Sequence, residues 1–216
     1  LQTLSAKNET ADRARKAGAA AAGVLALAVA QTVAFLPALS ARWRLLLIAA
    51  AHWPFARALA HLYRASAAPP PLLSARRRLF ASAISTLCLM PFAVFWRDCP
   101  AVGFFAANAL LAAVAVAALL LACTRLARAL AEDEMQVFHA RAAGYAVLGF
   151  FGAIALALAV ACWKSGLLFQ PPEVLLAALA RLPRSVLLVG VLPHLSCARA
   201  LRRVRDGLID RLSPTP

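Results

Sequence analysis

The chain has 216 residues, of which 63% are hydrophobic and 15% charged, and its formal net charge is +14. This composition excludes an ordinary soluble domain. The basic residues stand in short blocks at the ends of apolar runs, a pattern typical of membrane topology and contact with anionic lipids. The sequence therefore predicts an all-α, polytopic integral membrane protein that binds no nucleic acid.

The first sixteen residues are polar and carry charges of both signs. They predict a basic tail at the membrane surface, either extended or a frayed helix. The sequence begins with Leu1 rather than Met, which favours removal of a leader on the matrix or stromal side. We therefore expect an organellar inner membrane, mitochondrial rather than bacterial or plastid.

Six apolar runs follow, each long enough to cross a hydrocarbon layer of ~30 Å at ~1.5 Å per helical residue. The predicted spans, in three hairpins, are residues 17–39, 45–63, 79–96, 102–124, 142–163 and 174–198. The transmembrane domain is expected at 17–205 and a C-terminal tail at 206–216. Segments 45–63 and 173–184 are the two that could instead be tilted or lie in the interface.

The second run is interrupted by Pro54 and carries a polar stripe at helical spacing, with Trp53, Arg57, His61 and Arg64 on one face. Such a helix lies in the interface or turns its stripe towards protein or water. The three prolines at 69–71 that follow predict a short, stiff polyproline linker.

The third and fourth runs are joined by a charged, proline-containing turn at 97–101, and Asn108 lies just beyond it. We expect the Asn108 amide to form a hydrogen bond across helices. The next loop carries the acidic cluster 132–134. Consecutive acids point about 100° apart on a helix and cannot converge on a metal ion, so this cluster is expected at the surface.

The fifth run is ended by Lys164 and repeats a small residue at every fourth position, which would let another helix approach closely. These helix-packing candidates are Gly149, Ala153, Ala157 and Ala161. They are called the small-residue ribbon below. Phe150 and Phe151 are expected to point away from it.

The basic residues support an even number of crossings. With six spans, sixteen Lys and Arg residues fall on the side of both termini and four on the other side. The positive-inside rule then places both termini on the matrix or cytoplasmic side. If the second run did not cross, every later loop would invert and the bias would disappear.

The sequence names no catalytic residues. All nine acids lie outside the apolar runs, whereas cation-coupled carriers usually need a carboxylate at membrane depth. Phosphate-binding, zinc-protease and nucleophile-elbow motifs are absent, and five scattered cysteines show no metal-ligand spacing. We expect no metal, no cofactor and no enzymatic activity of the chain by itself.

Basic residues near or within the spans are the remaining polar candidates. The candidates for contact with lipid headgroups or a partner subunit are Arg57, His61, Arg76, Arg77, Arg78, Arg181, Arg184, Arg202 and Arg203. Long basic side chains at such positions reach an interface or a neighbouring subunit. An anion site built from the intramembrane arginines is the alternative.

These observations lead to two hypotheses about function. The first is a non-catalytic accessory subunit of a larger inner-membrane complex, such as a respiratory complex or ATP synthase, in contact with other membrane subunits and with anionic lipids such as cardiolipin. The second is a small carrier or channel for an anionic or lipidic solute, using Arg57, Arg181 and Arg184.

Overall fold

The computed structural model describes residues 2–34, 40–63, 70–88, 102–180 and 189–212, and these ranges contain helices and no strand. The helices are α1 Gln2–Ala34, α2 Ala41–Tyr63, α3 Pro70–Cys88, α4 Val102–Leu130, α5 Glu134–Lys164, α6 Pro172–Ala180 and α7 Leu192–Leu212. A short 3₁₀ helix, Leu167–Phe169, joins α5 to α6. The predicted all-α class is confirmed. The predicted turn at 97–101 lies outside the described residues.

The predicted N-terminal tail is helical and forms the first part of α1, which continues without a break from Gln2 to Ala34. Charged pairs at helical spacing, Glu9 with Arg13 and Asp12 with Lys16, support these turns. Ala14 is buried, so the polar segment also packs against the bundle. The mixed charges that suggested a frayed tail are the exposed face of an amphipathic segment.

The predicted polyproline linker was wrong at its C-terminal end, because α3 begins at Pro70. Proline is well tolerated in the first helical turn, where its fixed φ suits the helix and its missing N–H removes no hydrogen bond. Helix α2 continues through Pro54 to Tyr63, as the prediction of a helical run requires.

The core forms where α7 packs against α1 and α4. Helix α7 turns one narrow face inward, and its buried members recur every three or four residues: His194, Cys197, Leu201, Val204 and Leu208. Small residues of α1, including Ala17, Ala20 and Ala21, lie in the same core and allow close approach. Residues 206–212, predicted as tail, are therefore helical, and Leu208 is buried.

Helices α3 and α4 pack as an antiparallel pair. The Ser82 hydroxyl of α3 donates a hydrogen bond to the carbonyl of Ala115 in α4, at 2.9 Å. Asn108 is buried, but its amide donates to the Phe104 carbonyl of its own helix, at 2.6 Å. Ser82 therefore supplies a polar link between these helices, whereas the hydrogen bond of the Asn108 amide is made within α4.

Two helices in the described part of the chain contain stretches long and apolar enough to cross a membrane, Ala107–Leu130 and Glu134–Lys164. Helix α5 begins after Asp133, whose carboxylate accepts from the Met135 N–H, and ends at Lys164. The chain then turns at Gly166, whose φ of 71° favours glycine. The end predicted for the fifth run, at Lys164, is confirmed.

The core role of α7 can be tested by comparing two leucines on the same helix. Leu201 is fully buried, whereas Leu195 is 44% exposed. Leu201→Ala should lower the free energy of unfolding by about 2–5 kcal/mol, because it removes buried methyl groups and leaves a cavity. Leu195→Ala is the matched control and should change it much less. Thermal unfolding in mild detergent, followed by circular dichroism, measures both, and equal loss of stability would contradict this packing.

Candidate functional site

Glu132 holds together three helix ends at one end of the bundle. Its carboxylate accepts hydrogen bonds from the Thr10 hydroxyl of α1, at 3.0 Å, and from the Arg211 guanidinium of α7, at 3.1 Å. Arg13 of α1 lies 3.9 Å away. The acidic cluster is at the surface, as predicted, but Glu132 also links the turn before α5 to both ends of the chain.

Two glycines lie against long side chains of neighbouring helices. A Cβ at Gly207 of α7 would overlap the side-chain amide of Gln136 in α5, and a Cβ at Gly18 of α1 would lie 3.1 Å from Cδ of Arg205. Both neighbours are flexible side chains, so a small residue at either position would require only that they move.

The four basic segments predicted to share one side of the membrane meet at this end of the bundle. Glu132 connects the segment 125–141 to the beginning of α1 and the end of α7. Arg125 of α4 donates to the Ser74 hydroxyl near the beginning of α3, which carries the arginines 76–78. We call this region the charged end. Lys164 lies at the far end of α5, about 45 Å away at ~1.5 Å per residue.

Helix α5 presents an apolar surface that its own chain leaves uncovered. Only Ala140 and Val147 are buried on it, and 6% of its most apolar stretch is covered. Phe151 packs against the core from the partly buried face. The large exposed side chains of its apolar part are Tyr145, Leu148, Phe150, Leu156, Leu158, Val160 and Trp163.

The small-residue ribbon lies on this uncovered surface. Gly149, Ala153, Ala157 and Ala161 are all exposed, and no atom lies within 4 Å of the position that a Cβ at Gly149 would take. The ribbon therefore contacts no described helix of this chain. The predicted helix contact remains a prediction about a separate chain.

The basic candidates fall into three groups. Arg77 and Arg78 line a surface cavity of about 470 Å³ with Leu73 and Ser74, whereas Arg76 is buried. Arg202 and Arg203 are exposed on α7, and Arg57 is exposed on α2. Arg181 and Arg184 lie outside the described residues, as does the side chain of His61.

The two members of the α2 polar stripe whose side chains the structure describes, Trp53 and Arg57, face outward. The buried members of α2 are Arg44, Ile48 and Phe55, while Trp53 is 73% exposed and Arg57 is also exposed. These two residues therefore point away from the core that this chain forms. An interface or another protein has to receive them if α2 lies within a membrane.

No group of three His, Cys, Asp or Glu side chains suited to a metal ion occurs within the described ranges. The buried thiols of Cys123 and Cys197 meet between α4 and α7, where the Cys123 thiol donates to the Cys197 carbonyl at 3.7 Å. His52 places Nδ1 near the carbonyl of Ile48 in its own helix, and His194 places Nδ1 near the carbonyl of Gly190, just before α7. These cysteines and histidines take part in helix packing, and they do not form an arrangement of catalytic groups.

Comparison with models of known families, with curated proteins and with solved structures finds no match. Function therefore has to be inferred from the residues of this chain.

The pairing at the charged end predicts a local effect of Glu132→Gln. This change removes the attraction to Arg211 and Arg13 but keeps an acceptor for Thr10, so the loss should be about 0.5–1 kcal/mol. Hydrogen exchange should rise severalfold in the first turns of α1 and the last turns of α7, and less so in high salt. Glu134→Gln is the matched control. Equal acceleration by both variants would show that general charge, and not the Glu132 contacts, orders this end.

Proposed function

We propose that this chain is a non-catalytic integral-membrane subunit of a larger inner-membrane complex, with six crossings and both termini on the matrix or cytoplasmic side. The observation that carries the proposal is the uncovered apolar surface of α5. Water-soluble monomers rarely expose a continuous apolar face of this length. Lipid or a partner helix has to cover it.

The length of the uncharged stretch of α5 supports a membrane crossing by this helix. Its uncharged stretch lies between Arg141 and Lys164, and Tyr145 and Trp163 stand near the two ends. Eighteen residues separate those two aromatic rings along the sequence, which corresponds to about 27 Å along a helix axis. This spacing suits the two interfaces of a hydrocarbon layer, where Tyr and Trp are enriched.

Two outward-facing features support membership of a complex. The small-residue ribbon of α5 is open and would accept a close helix, as such ribbons do in membranes. Arg57 faces outward, and a charge facing lipid at the centre of a helix costs about 2.5–3.5 kcal/mol. A neighbouring subunit would supply a helix that packs on the small-residue ribbon and a polar group that binds Arg57.

The complex we name is an energy-transducing one, a respiratory complex or ATP synthase in a mitochondrial inner membrane. Support for this choice is general: such assemblies crowd inner membranes and contain many small subunits without catalytic residues.

The alternative, a carrier using intramembrane arginines, has less support. Arg57 faces outward instead of lining an interior cavity, and its two proposed partners, Arg181 and Arg184, lie outside the described residues. Native purification separates the two functions. A fixed set of co-purifying membrane subunits supports the accessory role, whereas a lone homo-oligomer that transports anions in vesicles would overturn it.

A bulky substitution in the small-residue ribbon tests how the chain assembles. Gly149→Leu should reduce recovery of the intact complex about tenfold, because a bulky side chain blocks close approach of the partner helix. Gly152→Leu makes the same change at an exposed position outside the ribbon and should have a smaller effect. Native gels of solubilised membranes measure both. Equal recovery of the two variants would remove the ribbon from the interface.

A further inference from the structure

A groove of about 540 Å³ runs along the antiparallel helices α4 and α5. At its polar end lie the guanidinium groups of Arg128 and Arg141 and the ring of Tyr145. Its other end is apolar and is lined mainly by Leu120, Leu121 and Leu148. The groove thus combines two positive charges with an adjoining hydrocarbon wall.

The two arginines are available to an anion. Both are exposed, and neither forms an ion pair with any residue in the described ranges. No carboxylate among the described residues lines this groove. Both arginines also line a neighbouring cavity that contains Glu132, Asp133 and Glu134, where Glu132 is already bound to Thr10 and Arg211 and Asp133 caps α5.

The groove also matches the expected membrane boundary. The fourth predicted span ends at residue 124 and the fifth begins at 142, so Arg128 and Arg141 lie just outside the hydrocarbon layer. From Arg128 to Ala117, which lines the apolar end, α4 extends by about 16 Å. That distance is comparable to much of an acyl chain, and basic pockets between membrane helices commonly bind phosphate headgroups.

We propose that this groove is a binding site for one anionic phospholipid. The phosphate lies between Arg128 and Arg141, and an acyl chain lies along Leu120, Leu121 and Leu148. The proposal rests on the integral-membrane function above and adds to it a defined lipid site. A free phosphate ion would satisfy the two guanidinium groups but would make no contact with the leucine wall, so charge and apolar surface together favour the lipid.

The test uses the full chain, purified in mild detergent and stripped of lipid. Phosphatidylglycerol, phosphatidylcholine with the same acyl chains, and inorganic phosphate are added separately, and bound molecules are counted by native mass spectrometry. The wild-type chain should retain one phosphatidylglycerol with at least about tenfold preference over phosphatidylcholine. Millimolar phosphate should not displace it.

Three variants separate the contributions of charge and shape. Arg128→Gln/Arg141→Gln should remove the preference for phosphatidylglycerol. Leu148→Trp, at a residue that is 51% exposed, should fill the apolar end and reduce retention with no change in charge. The control, Arg15→Gln/Arg199→Gln, removes two exposed charges away from the groove and should retain the lipid within about twofold.

Retention of phosphatidylglycerol by the Arg128→Gln/Arg141→Gln variant at the level of the control would overturn the lipid site. Equal retention of both lipids by the wild-type chain, or displacement by phosphate, would overturn it as well. Failure of the proposed function is a separate result: a chain released from its native membranes by alkaline carbonate is not an integral subunit, whatever lipid it binds afterwards.

Discussion

The apolar surface of α5 has to be removed from water, and the other features of the molecule follow from this constraint. Among the described residues, α5 has 31 residues and only two buried side chains, Ala140 and Val147. Burial of each large apolar side chain is worth about 1.5–3 kcal/mol when water is excluded from it. In the proposed function, lipid and a partner helix together would supply that exclusion, because α5 has both a bulky apolar surface and a ribbon of small residues.

Charged residues are concentrated at one end of the bundle, and this end therefore differs from the other end of the apolar helices. The beginning of α1, the end of α7 and the turn between α4 and α5 meet at Glu132. Arg128 and Arg141 lie near the same end, facing the α4–α5 groove. The chain therefore has one basic surface beside an apolar one, an arrangement suited to anionic headgroups.

Much of the fold could be predicted from apolar periodicity and helix-ending residues, and α5 is the clearest case, since its end at Lys164 was read directly. The full lengths of α1 and α7 could not be predicted, because their charged turns look like tails until the partner helix is known. Pro70 shows the same limit at α3: a proline run predicts a linker, yet its second member starts a helix.

The polar contacts were harder to predict than the helices. Asn108 is the strongest hydrogen-bonding side chain in its run, but its amide bonds within α4. The links between α3 and α4 use the hydroxyls of Ser74 and Ser82, which give little signal in a sequence. In the sequence, Glu132 is one of three consecutive surface acids. Only the fold shows that Thr10 and Arg211, which are 122 and 79 positions away, bind it. Local spacing cannot reveal such long-range partners.

The most direct test of this account is whether α5 crosses a membrane. The native cysteines are replaced, and a single cysteine is introduced either at Met135, beside the charged end, or at Gln170, beyond Lys164. Both positions are exposed. In sealed vesicles a membrane-impermeant maleimide should label one of them from outside and the other only after the membrane is opened. Labelling of both from the same side would contradict a membrane-spanning α5.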